Sequence, residues 1–441
     1  LDNQAVDVAF NVAFDATGAT SYANTTALPA GTALLSNGYF YGTITGIESE
    51  TTYNFTVSAI DAENQDSPRE FSVTVTVAPT YFLYAFGNGT RGQLGTNDVI
   101  NRSSPTQIGT FSWTSISAGG SFSLAVKDDG TLWSWGTNNV GKLGHNDLIY
   151  RSSPTQVGSL TDWSMVSCGS YSDSGAIKTN GTLWVWGSTN GTGNNINKSS
   201  PTQVGTDTNW SKLNISQGFN GAIKTNNTLW TWGLNNNGQL GHGDYVNKSS
   251  PVQVGTDTNW ATIALGRRHS MASKTDGSLY LCGQGGYGQL GTNSGASTTT
   301  LTRIGALNNW PTTMDKIGAC LESSAAIKDD GTLWTWGRND GGKLGKNNTV
   351  NYSSPVQVGT DTNWNVLAHG LNQMFSIKTD GTLWAWGYNN SGMLGDNTII
   401  SKSSPVQIGS DTDWISVSCS HGENEDVIGK ADAFVIATKS S

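Results

Sequence analysis

The sequence predicts an all-β protein: a seven-bladed β-propeller with a split closing blade, preceded by a small N-terminal β-sandwich. Three observations predict it. A short aromatic element, GTLWSWG at 130–136, returns at a near-constant interval. Its hairpins are continuous except for one, whose halves stand at opposite ends of the repeat region. Residues 1–79 lack the element and carry alternating runs of β-branched and aromatic residues instead.

The element recurs as GTLWVWG (181–187), NTLWTWG (227–233), GSLYLCG (277–283), GTLWTWG (331–337) and GTLWAWG (381–387), with a degenerate first copy, FLYAFG, ending at Gly87. From Phe86 to Trp386 is 300 residues over six intervals, a mean period of 50. Six of the seven copies continue into Gly-x-Leu-Gly (92–95, 141–144, 238–241, 288–291, 342–345, 392–395), whereas the copy at 181–187 runs on as STNGTGNN. Next come SSPTQVG or a relative, a Trp (113, 163, 210, 260, 310, 364, 414), and a small-residue strand such as SFSLAVK (121–127). A 40–50-residue period of short strands is the signature of propeller blades.

Each unit reads as four strands: LWSW, alternating about an exposed Ser134; PTQV; Trp163 to Ser167; and GAIKT. Asp-Gly in KDDGTLW (127–133) and Asn-Gly in KTNGTLW (178–184) supply the positive φ that a tight hairpin needs. The Gly-x-Leu-Gly elements read as turns that fold each loop back on its own blade. Six hairpins run without a break, while the seventh takes YFLYAFG (81–87) from one end and FVIATKSS (434–441) from the other. Joining the ends in one blade removes two open sheet edges, and the count gives seven blades.

This pattern resembles the repeat of the regulator of chromosome condensation family over roughly residues 81–441. The resemblance implies a seven-bladed propeller. That family's Gly-x-x-His-Ser element stands in good form once, at Gly266-Arg267-Arg268-His269-Ser270. The resemblance also brings in a nucleotide exchange factor for a small GTPase and an inhibitor of β-lactamases as family members. No motif here carries exchange activity over, so the resemblance implies architecture, not an activity.

In residues 1–79, VDVAFNVAF (6–14), YFYGTITGI (39–47), TYNFTVSAI (52–60) and REFSVTVTV (69–77) read as strands, with DAENQDSP (61–68) as a polar loop. The run from LPAG through TYNFTVSAIDAENQ is similar to the immunoglobulin-like domains of bacterial surface proteins and phage fibres. Ala78-Pro79-Thr80 is the expected linker, which divides the chain into 1–79 and 80–441.

Composition narrows the function. Lys and Arg minus Asp and Glu is 24 − 33 = −9, so the chain lacks the basic footprint of a nucleic-acid binder. No apolar run reaches the length of a membrane span. Hydrophobic residues at 36% with 10% aromatics suffice for a large core. Cys168, Cys282, Cys320 and Cys419 form neither a disulfide framework nor a zinc pattern, and Cys282 replaces a repeat Trp as a buried apolar residue. The chain opens on Leu1 without a signal segment and is expected to be part of a longer one. Its Asn/Ser/Thr-rich surface and the sequons at Asn101, Asn197, Asn247 and Asn351 suit an extracellular or virion-surface location.

All seventeen Trp occupy repeat positions, so packing is their expected role rather than stacking on sugars. His145 and His242 share the slot after Gly-x-Leu-Gly, which favours loop hydrogen bonding. Asp61, Glu63 and Asp66 lack the Gly-centred spacing of a calcium loop and read as a solvated turn. No nucleophile elbow, zinc helix, phosphate loop or carboxylate pair emerges, so we expect no enzyme, cofactor or metal.

The residues that break the repeat are the candidates for binding. With strands alternating in direction, the long Gly-x-Leu-Gly loops and the short turns after the Trp strands share one face. The Asp-Gly hairpins and GTDTNW turns share the other. The fifth unit carries Arg267-Arg268-His269 and replaces SSPVQ with STTTLTR (297–303). The sixth inserts residues around Lys316–Ser324, and the seventh inserts 421–432. These three units are read as consecutive and as decorating one sector of the long-loop face. The expected partner-binding residues are Arg267, Arg268, His269, Tyr287, Glu423, Glu425 and Asp426.

The function expected from all this is a non-enzymatic structural or receptor-binding module of an extracellular or virion-surface appendage. Its partners would be a protein or glycan receptor, or neighbouring subunits, with no nucleic acid and no membrane insertion. The alternatives are an exchange factor for a small GTPase, and an inhibitor of a secreted enzyme. The inhibitor would need an aromatic hot spot, with Tyr150, Tyr171, Tyr245, Tyr287, Tyr352 and Tyr388 as candidates.

Overall fold

The structure, a computed structural model, describes residues 6–47, 51–75, 79–188, 192–193, 196–420 and 433–440. Two compact units divide at Pro79 and Thr80. Among the described residues the only helices are two short 3-10 turns, Met314–Lys316 and Asp340–Gly342. No described helix is long and apolar enough to cross a membrane.

The N-terminal unit is a sandwich of two three-stranded antiparallel sheets. One holds Val6–Ala13, Tyr39–Ile47 and Thr32–Leu34; the other holds Ser21–Asn24, Thr51–Ile60 and Asp66–Val75. Phe40 from the first sheet stacks on Phe55 from the second at 5.1 Å, and Val57 completes the buried centre. Four of these strands are legible as alternating runs; the three- and four-residue strands are too short to alternate. The last strand begins at Asp66, so the polar loop shrinks to 61–65, where Asp61 Oδ1 accepts from the amides of Glu63 and Gln65.

The second unit is a ring of seven four-stranded blades. Five are separate sheets spanning 163–203, 210–253, 260–303, 317–357 and 364–407. The other two share the long strand Arg102–Ala118, whose first part ends one blade and whose second part begins the next, at 113–156. The closing blade runs Trp414–Cys419, Phe434–Ser440, Tyr81–Gly87 and then residues 102–108. The two chain ends pair over seven residues, from Phe434↔Gly87 to Ser440↔Tyr81.

Each inner Trp strand packs on the next, and the strand at 414–419 returns to the one ending at Ala118. Side chains stitch this ring. Ser117 Oγ accepts from the Cys168 amide, Ser167 from Ile215, Asn214 from Leu265, and Ser418 from Ala118, all at 2.9–3.0 Å. The 260–303, 317–357 and 364–407 blades carry Ala264, Gly318 and Ala368 at that position. There, buried histidines bridge neighbours instead: His269 Nε2 to Ser324 Oγ at 2.9 Å, and His369 Nε2 to Ser323 Oγ at 3.0 Å. Gly318 is required because a Cβ there would lie 2.8 Å from His369 Cβ.

The Gly-x-Leu-Gly loops pack back on their own blade, where Ser134 Oγ donates to Leu143 O, and also on the next one. A Cβ on Gly141 would come within 2.5 Å of Ser199 Cα in the following blade's outer strand, and φ is 84°. The middle residue is buried, and its carbonyl takes two protons from the next blade. Lys142 O accepts from Trp186 Nε1 at 2.8 Å and Ser174 Oγ at 2.7 Å; Gln289 O accepts from Trp336 and Ser324, both at 2.9 Å. Because neighbouring blades cover both faces of each sheet, alternation within LWSW does not mean in and out. Ser134 is fully buried and donates to Leu143 O at 2.7 Å, while Trp133 is half-buried.

On the opposite face a lysine ends each second strand and lies over aromatic rings. Lys378 Nζ is 4.6 Å from Trp364 and 4.1 Å from Trp384, with Asp361 Oδ2 at 2.7 Å beyond it. Packing is therefore the role the structure gives the repeat Trp. All four cysteines are free and buried, and Cys282 Sγ takes the place of the indole on Gln239 O at 3.5 Å.

Two expectations about the decorated sector change. The extra residues of the 317–357 blade precede its inner strand, as Pro311 to Lys316, and so lie toward the GTDTNW side; its turn after Cys320 has the length of its sisters. Residues 421–432 connect Trp414–Cys419 to Phe434–Ser440 in the closing blade, so the 364–407 blade intervenes and the three units are not consecutive.

Candidate functional site

The one copy that has lost Gly-x-Leu-Gly marks the most distinctive place on the long-loop face. In the other blades this loop fills the seam to the next blade. Beside the copy that lacks it, a cleft of ≈ 520 Å³ lies between the 163–203, 210–253 and 260–303 blades. One wall is the turn Tyr171, Ser172 and Asp173, with Ser188 beside it. The floor and far wall take Gln217, Gly218 and the loop from Leu234 to Gln239, and Arg267 and Arg268 close the third side.

The 210–253 blade differs from its sisters at one buried position. Asn220 stands where other blades have Ser123, Ser174, Ser270 and Ser324, and its amide oxygen accepts from Trp232 Nε1 at 3.0 Å while its nitrogen donates to Phe219 O.

Asp173 begins a strand whose sisters begin with Phe122, Phe219 and Phe434, or with the buried polar residues His269, Ser323 and Gln373. It is 5% exposed, its Oδ2 accepts from the Gly218 amide at 3.1 Å, and its Oδ1 has no partner among the described residues. Burial pushes its pKa up to about 7, against the pull of the Gly218 amide and the Lys142 charge. Arg267 Nε donates to Gln217 Oε1 at 3.2 Å. Both Arg267 and Arg268 are half-buried at the wall, and no described acid pairs with Arg268. Tyr171 and Leu234 are exposed at the rim.

The expected binding residues thus separate. Arg267 and Arg268 share the cleft. His269 is wholly buried between blades, where burial drives its pKa down to about 4, so it serves the blade seam and is out of a partner's reach. Tyr287 lies one seam on, its ring 4.8 Å beneath the guanidinium of Arg338, which also pairs with Glu322 and Asp340. Glu423, Glu425 and Asp426 lie outside the described residues. His145 and His242 do hydrogen-bond, from the loop to a strand of their own blade: to Ser134 Oγ at 2.9 Å and Thr231 Oγ1 at 3.0 Å. Sequence reasoning missed Asp173, Gln217 and the Asn236–Asn237 wall. The signal was present: a lost loop motif, and an Asp at a buried position that three sister strands fill with Phe.

Comparison with known proteins agrees with the architecture. The family model "Regulator of chromosome condensation (RCC1) repeat" matches residues 82–126, 129–172, 226–273, 330–368 and 380–422, and a second model of the same description matches 113–142. The model "Putative Ig domain" matches residues 2–76. No curated protein sequence matches the chain. Among solved structures, Prp20p from Saccharomyces cerevisiae, studied for binding to Gsp1p and histones, is similar at 19% identity and a TM-score of 0.69, over 83% of this chain and 92% of that one. Human WBSCR16 is similar at 19% identity and a TM-score of 0.70, over 82% and 99%. Yeast RCC1 (Prp20) in a complex with Kap60 gives 19% and 0.69, over 82% and 90%. At this identity the likeness concerns the fold.

Proposed function

The chain belongs to the regulator of chromosome condensation repeat family, and from that premise we propose that it is a non-enzymatic receptor-binding or structural module of an extracellular or virion-surface appendage. The observation that carries this reading is the cleft on the long-loop face, which collects two arginines and a buried carboxyl group beside the copy that lacks Gly-x-Leu-Gly. The pairing of an immunoglobulin-like domain with the propeller supports it, as does a surface built on Asn, Ser and Thr.

The long-loop tips offer a further contact surface. Val99 and Ile100, Leu148 and Ile149, and Ile399 and Ile400 are each more than half exposed. Apolar side chains repeated at one exposed position favour contact with neighbouring subunits. Two similar proteins are described with protein partners, Prp20p with Gsp1p and histones and yeast RCC1 with Kap60, which suits a protein-binding propeller. The net charge of −9 argues against a chromatin-docking role.

The test is saturable binding of the fluorescently labelled chain to intact cells, run beside nucleotide-release assays on small GTPases. Binding without accelerated release supports the reading. Accelerated release at catalytic amounts of the chain overturns it in favour of an exchange factor.

A further inference from the structure

We propose that the cleft between the 163–203, 210–253 and 260–303 blades is a binding site for an acidic glycan, taking a sugar ring that carries both hydroxyl groups and a carboxylate. This deepens the receptor-binding reading and rests on it.

The occupant follows from the lining. Arg268 is a half-buried cation with no described acid to neutralise it, beside an Arg267 already oriented by Gln217. A guanidinium binds a carboxylate through two parallel N–H donors, which makes an anion the matching ligand group. An anion alone is not enough, because the same cleft is lined by the carboxyl group of Asp173 and the side-chain amides of Gln217, Asn236 and Asn237. These groups match a ligand that carries hydroxyl groups as well. The ligand must therefore present an acid to one wall and a hydroxyl donor to the other.

A sugar acid meets both demands better than a peptide. Asp173, Gln217, Asn236, Asn237 and Gln239 are planar groups able to bridge neighbouring hydroxyls. Among the described residues Leu234 is the only aliphatic side chain lining the cleft, whereas a bound peptide needs apolar pockets for its anchors. Tyr171, about half exposed at the rim, offers the apolar ring face against which a pyranose packs. The volume, ≈ 520 Å³, lies within the usual small-ligand range.

The experiment is titration of the full chain with N-acetylneuraminic acid, glucuronic acid, neutral N-acetylglucosamine and an oligo-glutamate peptide, followed by ligand-observed NMR. The two sugar acids should bind saturably, and the neutral sugar at least tenfold more weakly. Arg268→Ala and Asp173→Asn should each weaken sugar-acid binding at least tenfold. Arg268→Gln, which keeps the bulk, guards against misfolding, and unchanged melting temperatures certify the variants. Binding of the peptide alone, lost with Arg268→Ala, would overturn the glycan class while leaving the receptor-binding face intact. Binding of neither probe, with cell attachment unaffected by Arg268→Ala, would overturn the site without touching the module reading. Failure of the unaltered chain to attach to any cell would instead count against the proposed function.

Discussion

Asn220 and Trp232 form a pair found in no other blade: the Asn220 amide oxygen accepts the Trp232 indole proton at 3.0 Å. Elsewhere that proton goes to the loop of the preceding blade, as from Trp186 to Lys142 O. In the 210–253 blade Asn220 thus gives the indole an acceptor within its own blade, at the seam where the preceding copy lacks Gly-x-Leu-Gly.

The pair should be separable by a double-mutant cycle. Asn220→Leu removes this acceptor from the fully buried Trp232 N–H and should cost about 0.5–1.5 kcal/mol. In a Trp232→Phe background, which has no proton to place, Asn220→Leu should cost less. Denaturant unfolding of the four proteins measures the coupling, and equal losses in both backgrounds would contradict the pairing.

Asp173 should make stability depend on pH in an unusual direction. Its folded pKa, about 7, lies above the ordinary 3.8, so between those values the folded state holds more protons than the unfolded one. Its contribution to stability is therefore present at low pH, falls as pH rises from about 4 to about 7, and then stays constant. His145 and His269, both depressed to about 4, act oppositely, losing stability as pH falls from 6.5 toward 4. Asp173→Asn isolates the first effect. Its melting temperature relative to the unaltered chain should climb between pH 4 and 7, and a flat difference would contradict the burial of an ionisable group.

The lysine stacks on the opposite face should contribute through their rings more than through their acids. Lys378→Met should destabilise by about 1–2 kcal/mol, because the ammonium lies between two indoles. Asp361→Asn should cost less than about 1 kcal/mol, since that carboxylate is half exposed. Thermal unfolding of both variants ranks the two, and the reverse order would contradict the account.

Closure by both chain ends predicts a global response to truncation. Removing residues 433–441 deletes Phe434, Val435 and Ile436, all essentially buried, at roughly 1.5–3 kcal/mol per side chain. It also opens the ring at the strand paired with Tyr81–Gly87. The whole propeller should melt earlier in calorimetry. An unchanged transition would mean that the ends do not close the ring.

Most of the architecture was legible because the repeat reports it directly. Seven Trp strands, the period and the divided hairpin give blade number and closure without any long-range information. The errors arose where a residue's neighbour belongs to another blade. Ser134 looks exposed in LWSW but is covered by the adjacent sheet, and the Gly of Gly-x-Leu-Gly is needed for the next blade's Ser199, a contact about 60 residues away in sequence. The candidate site was half legible. Doubled arginines broke the repeat visibly, whereas Asp173 required knowing that its sister positions are core, and His269 looked like part of the same surface turn although its ring faces inward.

The central claim is that the long-loop face binds and the opposite face supports. The most direct measurement is attachment of the chain to its cognate cell, comparing Arg267→Ala with Arg268→Ala on one face against Thr206→Lys with Thr256→Lys in the exposed GTDTNW turns of the other. The account predicts at least a tenfold loss of attachment for the arginine pair and no change for the threonine pair, with both variants folded. Equal attachment of the two pairs would contradict it.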